Sequence, residues 1–344
     1  MKNWMYDGSS RVEPVISSRI RIARNLSGEA FPHLLSEEQG RRFIDRVQEA
    51  FYASNSNGED FKTIKLWEED RNSINSYLEK HLISPNLIKV YNKAAFILNR
   101  QETVSIMINE EDHLRIQCIN SGFNLRETYQ VANSLDSFLE EKLSFAFNEN
   151  LGYLTACPTN LGTGIRASVM IHLPALTMNK EMTQVLKALT QVGMTIRGLY
   201  GEGSSADGNI YQVSNQVTLG ISEEEILFNL EAAISEILQQ ESRARAILLK
   251  NYPFEMQDKI FRSLAILKSA RVLSSKECLD LLSNVRLGLE LSLIDGIDGS
   301  TINSLLVNTQ PATLQKNIAR KLTDLERDVE RAKYVRQILN AVKK

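Results

Sequence analysis

The stretch Asn109-Glu110-Glu111-Asp112-His113-Leu114-Arg115 places three acidic residues between two segments of alternating hydrophobicity. Residues 104–108 before it and residues 114–118 after it carry an apolar side chain at every second position. A period of two is typical of a half-buried β-strand, so the stretch is predicted to be the turn of a β-hairpin. Taken alone, acids at a hairpin tip favour a solvated loop. Opposite charges elsewhere in the chain favour a binding site instead.

Length and composition bound the class of protein. The 344 residues are enough for two domains, and 43% hydrophobic and 24% charged residues are typical of a soluble globular protein. The net charge of −2 argues against nucleic-acid binding through bulk electrostatics. Three widely spaced cysteines offer no disulfide framework, and four histidines show no metal-ligand spacing. With no recognisable signal peptide and no bilayer-spanning apolar run, we expect a cytoplasmic protein without membrane contact.

The periodicity of the sequence changes near residue 220. Before it, segments with helix and strand periodicity alternate, and their short connections favour an antiparallel sheet. Strands are predicted over residues 15–23, 153–156, 165–173, 194–200 and 209–217, and helices over 36–52 and 125–143. After it, the capping box Ser222-Glu223-Glu224-Glu225 opens a series of helices. We predict an α+β fold: residues 1–220 form an antiparallel sheet flanked by helices, and residues 221–344 form an all-helical domain.

Arginines recur at strand positions whose neighbours face a core. Alternation with Ile16, Ile20 and Ile22 puts Arg19 and Arg21, together with Ser17, on the other face of the first strand. A solvated strand face explains any single arginine equally well. Five arginines converging on one side of a sheet would instead cradle polyphosphate, because guanidinium forks match phosphate oxygens and stay charged. The five are Arg19, Arg21, Arg115, Arg166 and Arg197.

Two glutamates, Glu111 and Glu202, are expected near the same end of the sheet. Carboxylates repel phosphate, so their presence beside a phosphate site indicates that they bind a cationic substrate. A planar guanidinium is such a cation and binds carboxylates bidentately. The glycine-bearing loop from Cys157 to Ser168 is not a Walker A motif, and the His-Arg-Asp and Asp-Phe-Gly signatures of protein kinases are missing. These residues indicate phosphoryl transfer to a guanidino group.

The same blocks resemble the phosphagen (guanidino) kinase family, which includes arginine and creatine kinases. The resemblance runs in order through residues 17–21, 109–115, 157–168 and 197–215, roughly the first 220 residues. The chain is more similar to the bacterial protein-arginine kinases (McsB type), through residues 79–85 and the C-terminal Arg327-Asp328-Val329-Glu330-Arg331-Ala332. Tyr200 and Met170 replace the arginine and histidine usual in small-molecule kinases. An N-terminal helical domain is also missing, which implies an open cleft suited to arginine on a protein.

The resemblance implies an ATP-dependent kinase of arginine residues in proteins, active in stress response and protein quality control, with Mg²⁺ carried by the nucleotide. Glu111 would be the principal catalytic carboxylate and Glu202 its partner, with Arg115, Arg166 and Arg197 also catalytic. The implied nucleotide contacts are Ser17, Ser18, Arg19, Ile20, Arg21, His81, Arg115, Arg166, Ala167, Ser168, Val169, Met170, Arg197, Gly198, Leu199, Tyr200, Gly201 and Glu202. The alternatives are a kinase of free arginine or another small guanidino compound, and an inactive module that reads phosphoarginine.

Further expectations come from the same resemblance. Arg327, Asp328, Arg331 and Ala332 would form a regulatory phosphoarginine pocket, whereas without the resemblance they read as a solvated helix face. Cys157 corresponds to the family's active-site cysteine, with a buried structural thiol as the alternative. The implied partners are protein substrates with exposed arginine, an activator protein, and a Clp-type protease or repressor. A homodimer through the helical domain is also implied, and no direct nucleic-acid contact.

Overall fold

An antiparallel sheet lies at the centre of the computed structural model, which describes residues 1–6, 12–53, 60–198 and 206–341. Within these residues eight strands form one sheet, and every neighbouring pair is antiparallel. The long strands β1 and β8 lie side by side in the middle. The strands are, in spatial order, β2 (Phe61–Lys65), β3 (Ala95–Asn99), β4 (Val104–Ile108), β5 (Leu114–Ser121), β1 (Val15–Arg24), β8 (Ile165–His172), β10 (Ile210–Asn215) and β9 (Met194–Gly198).

Helices cover the sheet and make up the rest of the chain. Two of them begin at capping boxes, Ser36 with Gln39 and Ser222 with Glu225, in which side chain and backbone satisfy each other's hydrogen bonds. The helices are α1 (Glu37–Tyr52), α2 (Arg71–Glu79), α3 (Pro85–Lys89), α4 (Leu125–Glu140), α5 (Pro174–Met178), α6 (Met182–Gln191), α7 (Glu223–Asn251), α8 (Pro253–Ser269), α9 (Ser275–Glu290), α10 (Gly299–Asn308), α11 (Pro311–Ile318) and α12 (Asp324–Ala341). No described helix is both long and apolar enough to cross a bilayer.

Three hydrophobic cores lie on the two faces of the sheet. The first fills one face, where α1, α4, α6 and α7 pack against side chains such as Ile20 and Val169. The other face carries two smaller cores. The second core joins α8, α9, α10 and α12 to Ile119 and Met170, and the third joins α2 and α3 to Met107. A strip of the sheet between the second and third cores is left for polar side chains.

The predicted α+β fold is confirmed, as is the run of helices after residue 220 within the described part of the chain. Helix α7 packs into the first core through Ile226, Leu230 and Ile234, whereas α8, α9, α10 and α12 build the second. The division of the chain into domains at residue 220 stays a prediction.

Two local expectations are wrong. Residues 153–156 do not form a strand of the sheet, because β7 (Gly152–Tyr153) pairs with β6 (Phe147–Asn148) in a separate ribbon and otherwise makes only isolated bridges to Gly162. Ile16 does not share a core with Ile20 and Ile22. The register of β1 against β8 shifts between Val15 and Ser17, and this irregularity turns Ile16 into the second core.

Candidate active site

The predicted arginines share one face of the sheet. Residues paired across neighbouring antiparallel strands point to the same side, and Arg21 pairs directly with Arg166 of β8. Arg19 of β1 pairs with Ser168 of β8, and Arg197 of β9 pairs with Gln212 of β10. Arg115 of β5 pairs with Ala23, two residues along β1 from Arg21. The register therefore brings all five arginines onto the strip between the second and third cores.

A cleft of about 510 Å³ opens over this strip. Its volume is in the range typical of small-molecule sites. The floor comes from the sheet, and one wall comes from the segment that joins α2 to α3. The lining residues are Arg19, Arg21, Leu78, Glu79, His81, Ile83, Ser84, Pro85, Met107, Gln117, Arg197, Gly198, Gln212 and Gln310.

Mutual repulsion and burial make the arginine cluster electrostatically unfavourable by itself. Burial and the neighbouring Arg115 lower the pKa of Arg19 to about 10. Burial, together with Arg19, Arg115 and Arg166, lowers the pKa of Arg21 well below its usual value. The buried Nε of Arg21 has no hydrogen-bond partner among the described residues. Such a group of positive charges with an unused donor fits a polyanion such as the phosphates of ATP.

His81 lies at the wall of the cleft as a neutral ring. Burial first, and then the charge of Arg19, lower its pKa to about 3. Its backbone has a positive φ of 61°, and its carbonyl accepts a hydrogen bond from Gln117 Nε2 at 2.9 Å. A neutral imidazole beside apolar Ile83 and Met107 suits contact with an uncharged aromatic base rather than with phosphate.

The acidic turn at residues 109–113 is packed rather than solvated. Glu110 is 5% exposed and Asp112 is fully buried. Asp112 accepts hydrogen bonds from Asn25 Nδ2 and from the backbone N–H of Ala156, both at 2.6 Å. The solvated-loop interpretation of the turn is therefore wrong.

The two neighbouring glutamates of the turn have different environments. The Glu110 carboxylate lies 2.6 Å from Arg115 Nη1 and accepts a hydrogen bond from the Ser84 hydroxyl. The Glu111 side chain is 35% exposed, and its Oε2 is 3.7 Å from Arg115 Nη2. Glu111 is thus the acid of this turn that is free to bind a cationic substrate next to the arginines.

Some of the implied nucleotide contacts lie away from the cleft. Ile20, Ala167 and Val169 pack into the first core on the opposite face, so their side chains contribute nothing to the cleft. The Ser18 hydroxyl donates to the Gly122 carbonyl and accepts from the Asn124 N–H, so it holds the loop before α4. These four side chains are corrections to the implied set. Leu199, Tyr200, Gly201 and Glu202 lie outside the described residues.

The remaining implied contacts stay near the strip. The Ser168 hydroxyl accepts a hydrogen bond from Arg19 Nε at 3.3 Å, and Gly198 lines the cleft. Ser17 pairs with Met170, which belongs to the second core beside the cleft. These residues lie at the border of the strip, and Ser168 helps to orient Arg19.

Cys157 is partly exposed, so the alternative of a buried structural thiol is wrong. Its Sγ lies 3.1 Å from the Thr159 hydroxyl oxygen. Burial and the charges of Arg115 and Arg197 lower the pKa of Arg166, and attraction to Cys157 and Glu111 partly offsets that decrease. Cys157 therefore lies within electrostatic range of Arg166.

The four C-terminal residues do not form one exposed pocket. Arg331 is 1% exposed, and its guanidinium donates to the carbonyls of Thr309 and Leu273, each at 2.7 Å. Ala332 is fully buried in the second core. Arg327 lines a separate depression between α2 and α11, and Asp328 keeps 30% of its side chain exposed. A solvated face is also wrong for Arg331 and Ala332, which hold α12 in place.

Sequence reasoning missed several residues of the site. Ser84, Glu110, Gln117 and Gln212 all contact the cleft or its arginines. Gln117 follows the same alternation as Arg115, so the strand period would have found it. Ser84 precedes Pro85 at the start of α3, which is an N-cap signature, but a cap predicts structure rather than a role in a site.

The geometry thus joins a polyanion site to a carboxylate suited to a guanidinium. This combination can bring a phosphoryl donor and a cationic acceptor together without covalent help from the protein.

Comparisons with known proteins agree with this geometry. Residues 42–244 match the family model of the ATP:guanido phosphotransferase C-terminal catalytic domain, and residues 253–344 match that of the protein-arginine kinase McsB C-terminal domain. The chain is 56% identical over 341 residues to a protein-arginine kinase of Clostridium kluyveri, covering 98% of this chain and 99% of that one. It is 52% identical over 339 residues to the protein-arginine kinase of Clostridium acetobutylicum, covering 98% and 100% of the two chains.

A solved structure shows the same architecture. The crystal structure of lombricine kinase matches with a TM-score of 0.59 and 25% sequence identity, over 69% of each chain. By family model and by identity over its length, the chain belongs to the ATP:guanido phosphotransferase family, within the branch of the protein-arginine kinases.

Proposed function

We propose that the chain transfers the γ-phosphoryl group of ATP to the guanidinium of arginine residues in proteins. One observation carries the proposal: five arginines share a strip of the sheet, and the partly exposed Glu111 lies 3.7 Å from one of them, Arg115. Relatives at 52–56% identity over the chain are protein-arginine kinases, which supports an acceptor on a protein rather than free arginine.

The nucleotide is proposed to lie in the cleft with its phosphates on the arginines. Arg19, Arg21 and Arg197 line the cleft, and their charges would be neutralised by a triphosphate. The neutral His81 is proposed to contact the base. Mg²⁺ is proposed to arrive bound to the phosphates, where it would neutralise charge.

The acceptor is proposed to bind at Glu111. A guanidinium holds its proton to a pKa above 12, so its nitrogen is a poor nucleophile. As the new P–N bond forms and the bond from the γ-phosphorus to the bridging oxygen of ADP breaks, the proton leaves the nitrogen for the Glu111 carboxylate. Arg115 and Arg166 beside Glu111 would stabilise charge on the transferring group. Glu202 is proposed as the second carboxylate.

The test is to incubate the chain with ATP-Mg and an arginine-rich protein and to search for phosphoarginine by mass spectrometry. The wild type is expected to form it, and Glu111→Gln is expected to reduce the rate at least about 100-fold because the proton acceptor is lost. ADP binding by calorimetry is the control and is expected to change little in the variant. Faster turnover of free arginine than of protein, or ADP binding without any transfer, would contradict the proposal.

Regulation and location are part of the same proposal. We propose that Arg327, which lines the depression beside α2 and α11, and the partly exposed Asp328 bind phosphoarginine and act allosterically. Their opposite charges suit the phosphate and the guanidinium of that group. We further propose a cytoplasmic bacterial enzyme that works with an activator protein and a Clp-type protease or repressor.

A homodimer through the helical domain is also proposed. Phe254 and Phe261 of α8 lie seven residues apart, on one side of the helix, and are 81% and 48% exposed. Changing both to Glu is expected to shift the chain to a monomer in size-exclusion chromatography with light scattering. Tyr91→Glu, at another exposed aromatic residue, is the matched control. A wild type that is already monomeric at high concentration would contradict the dimer.

A further inference from the structure

A chain of three side chains connects the wall of the cleft to the acidic turn. Ser84 is the N-cap of α3 and lines the cleft. Its hydroxyl donates to the carboxylate of Glu110, which lies 2.6 Å from Nη1 of Arg115. Arg115 in turn lies 3.7 Å from Glu111. The connection therefore reaches from the side of the proposed nucleotide to the side of the proposed acceptor.

Glu110 is buried beside Arg115, which carries its counter-charge. Its side chain is fully buried, and a buried carboxylate costs several kcal/mol unless its partners are well placed. Its partners here are the Ser84 hydroxyl and Nη1 of Arg115, which lies 2.8 Å from Oε1 and 2.6 Å from Oε2. An apolar side chain in its place would leave the Arg115 guanidinium without this counter-charge. What Glu110 adds is a fixed orientation of Arg115.

The orientation of Arg115 matters for phosphoryl transfer. Its Nη2 lies 3.7 Å from Glu111, and its charge acts on Arg19 and Arg21 in the strip. A guanidinium that is already in place when charge develops on the transferring group lowers the barrier more than one that must reorient. Displacement by about 1 Å can reduce the rate about 100-fold.

We propose that Ser84 and Glu110 are positioning residues: the Ser84 hydroxyl fixes the Glu110 carboxylate, which fixes Arg115 between the ATP cleft and Glu111. The inference rests on the proposed function, because it assumes that phosphoryl transfer occurs at Arg115. It makes α3 part of the catalytic apparatus, although none of its side chains would contact the acceptor.

The competing explanation is that Ser84 is only a helix cap. Its hydroxyl oxygen also accepts a hydrogen bond from the Leu87 N–H at 3.2 Å, which satisfies the first turn of α3. Ser274 is a matched control, because it caps α9 in the helical domain and accepts from the Glu277 N–H at the same 3.2 Å. Loss of a cap alone would lower stability in both variants, without a specific effect on catalysis.

The experiment measures kcat and KM for ATP with a protein substrate, and it measures the melting temperature of each variant. Ser84→Ala is expected to lower kcat about 10- to 100-fold and to change KM for ATP less than about threefold, because Arg19, Arg21 and Arg197 still hold the nucleotide. Ser84→Thr keeps the hydroxyl and is expected to restore most of kcat. Ser274→Ala is expected to lower the melting temperature only.

A double-mutant cycle completes the test. If the two residues act in series, Ser84→Ala combined with Glu110→Gln is expected to lower kcat no further than Glu110→Gln alone. Multiplicative effects, or a kcat for Ser84→Ala equal to that of Ser274→Ala, would overturn the positioning role. A wild type that forms no phosphoarginine would instead remove the proposed function and the inference with it.

Discussion

At the scale of single residues, Arg21 shows how the strip is held ready for an anion. Its guanidinium is largely surrounded by protein, directly opposite Arg166, and its Nε has no partner among the described residues. Like charges opposite each other on paired strands are destabilising. The fold tolerates this because the rest of β1 packs well, with Ile20 and Ile22 in the first core. The fold is thus less stable than it could be, and in return it keeps a site whose positive charges a bound polyanion neutralises.

His81 gives a prediction on pH. Its pKa in the fold is about 3, below the ordinary 6.5, so between these values the unfolded chain binds one more proton than the folded chain. Stability is therefore lost as pH falls from 6.5 towards 3. His81→Gln should remove this loss. The free energy of unfolding of the variant, relative to that of the wild type, should therefore rise by up to about 1.4 kcal/mol for each unit by which the pH falls.

The measurement is urea unfolding of both proteins between pH 7.5 and 4.5. The matched control is His33→Gln, at an exposed histidine on the surface. A constant difference between the His81→Gln variant and the wild type across this range would show that the imidazole is not kept neutral by the fold.

The residues of the site differ in how far the sequence could predict them. Alternation along the strands predicts that Arg19, Arg21 and Arg166 share one face, because each side chain's direction depends only on its own strand. The burial of Glu110 and Asp112 could not be predicted in this way. Their partners, such as Ser84 and Asn25, are distant in sequence, and an acid-rich turn usually faces solvent.

At the scale of elements, Glu79 joins the two parts of the chain. From the last turn of α2, its carboxylate accepts hydrogen bonds from the backbone N–H groups of Ala312 and Thr313, at 2.8 and 2.6 Å. These N–H groups belong to the first turn of α11, which has no side-chain cap of its own. Glu79 therefore caps a helix that lies 233 residues further along the chain.

Glu79→Ala is expected to destabilise the chain by about 1–2 kcal/mol, because the two N–H groups lose their acceptor. The measurement is the free energy of unfolding in urea. The control is Glu225→Ala at the exposed capping box of α7, where water replaces the carboxylate and a smaller loss is expected. Equal losses in the two variants would mean that the link to α11 adds nothing beyond a local cap.

The sequence predicts an element best where its hydrophobic pattern extends over many residues. The strands β1, β5 and β8 and the helices α1, α4 and α7 all have clear patterns and were predicted. The strand predicted at residues 153–156 is wrong because it stops at Tyr153, which pairs with Phe147 in the separate ribbon and packs its ring beside Arg24, with the ring centroid 3.4 Å from the guanidinium carbon. A contact with one distant side chain leaves no period in the sequence.

At the scale of the whole molecule, a buried network of charges joins the sheet to helices α7 and α9. Glu290 of α9 is 1% exposed and accepts from His172 Nδ1 at 3.1 Å, Arg245 Nη2 at 2.7 Å and Arg286 Nε at 2.9 Å. These three partners come from β8, α7 and α9. The two arginines and the histidine together lower the pKa of Glu290 to about 2, against the effect of burial.

Glu290→Gln is expected to destabilise the chain by about 3–5 kcal/mol, because it leaves buried guanidinium groups without their counter-charge. The control is Glu29→Gln, which breaks the exposed pair with Arg46 at 2.8 Å and should cost at most about 1 kcal/mol. Both values come from urea unfolding at neutral pH. Similar losses would mean that water reaches the network and screens it.

The layout of the cleft has a practical consequence for engineering. Five strands supply its floor, while one continuous segment, residues 78–85, supplies the wall that contains His81 and Ile83. A library restricted to that segment can therefore be screened for altered nucleotide preference, such as guanine over adenine, with the phosphate-binding floor untouched. Ser84, and Glu79 because it caps α11, should be spared from such randomisation.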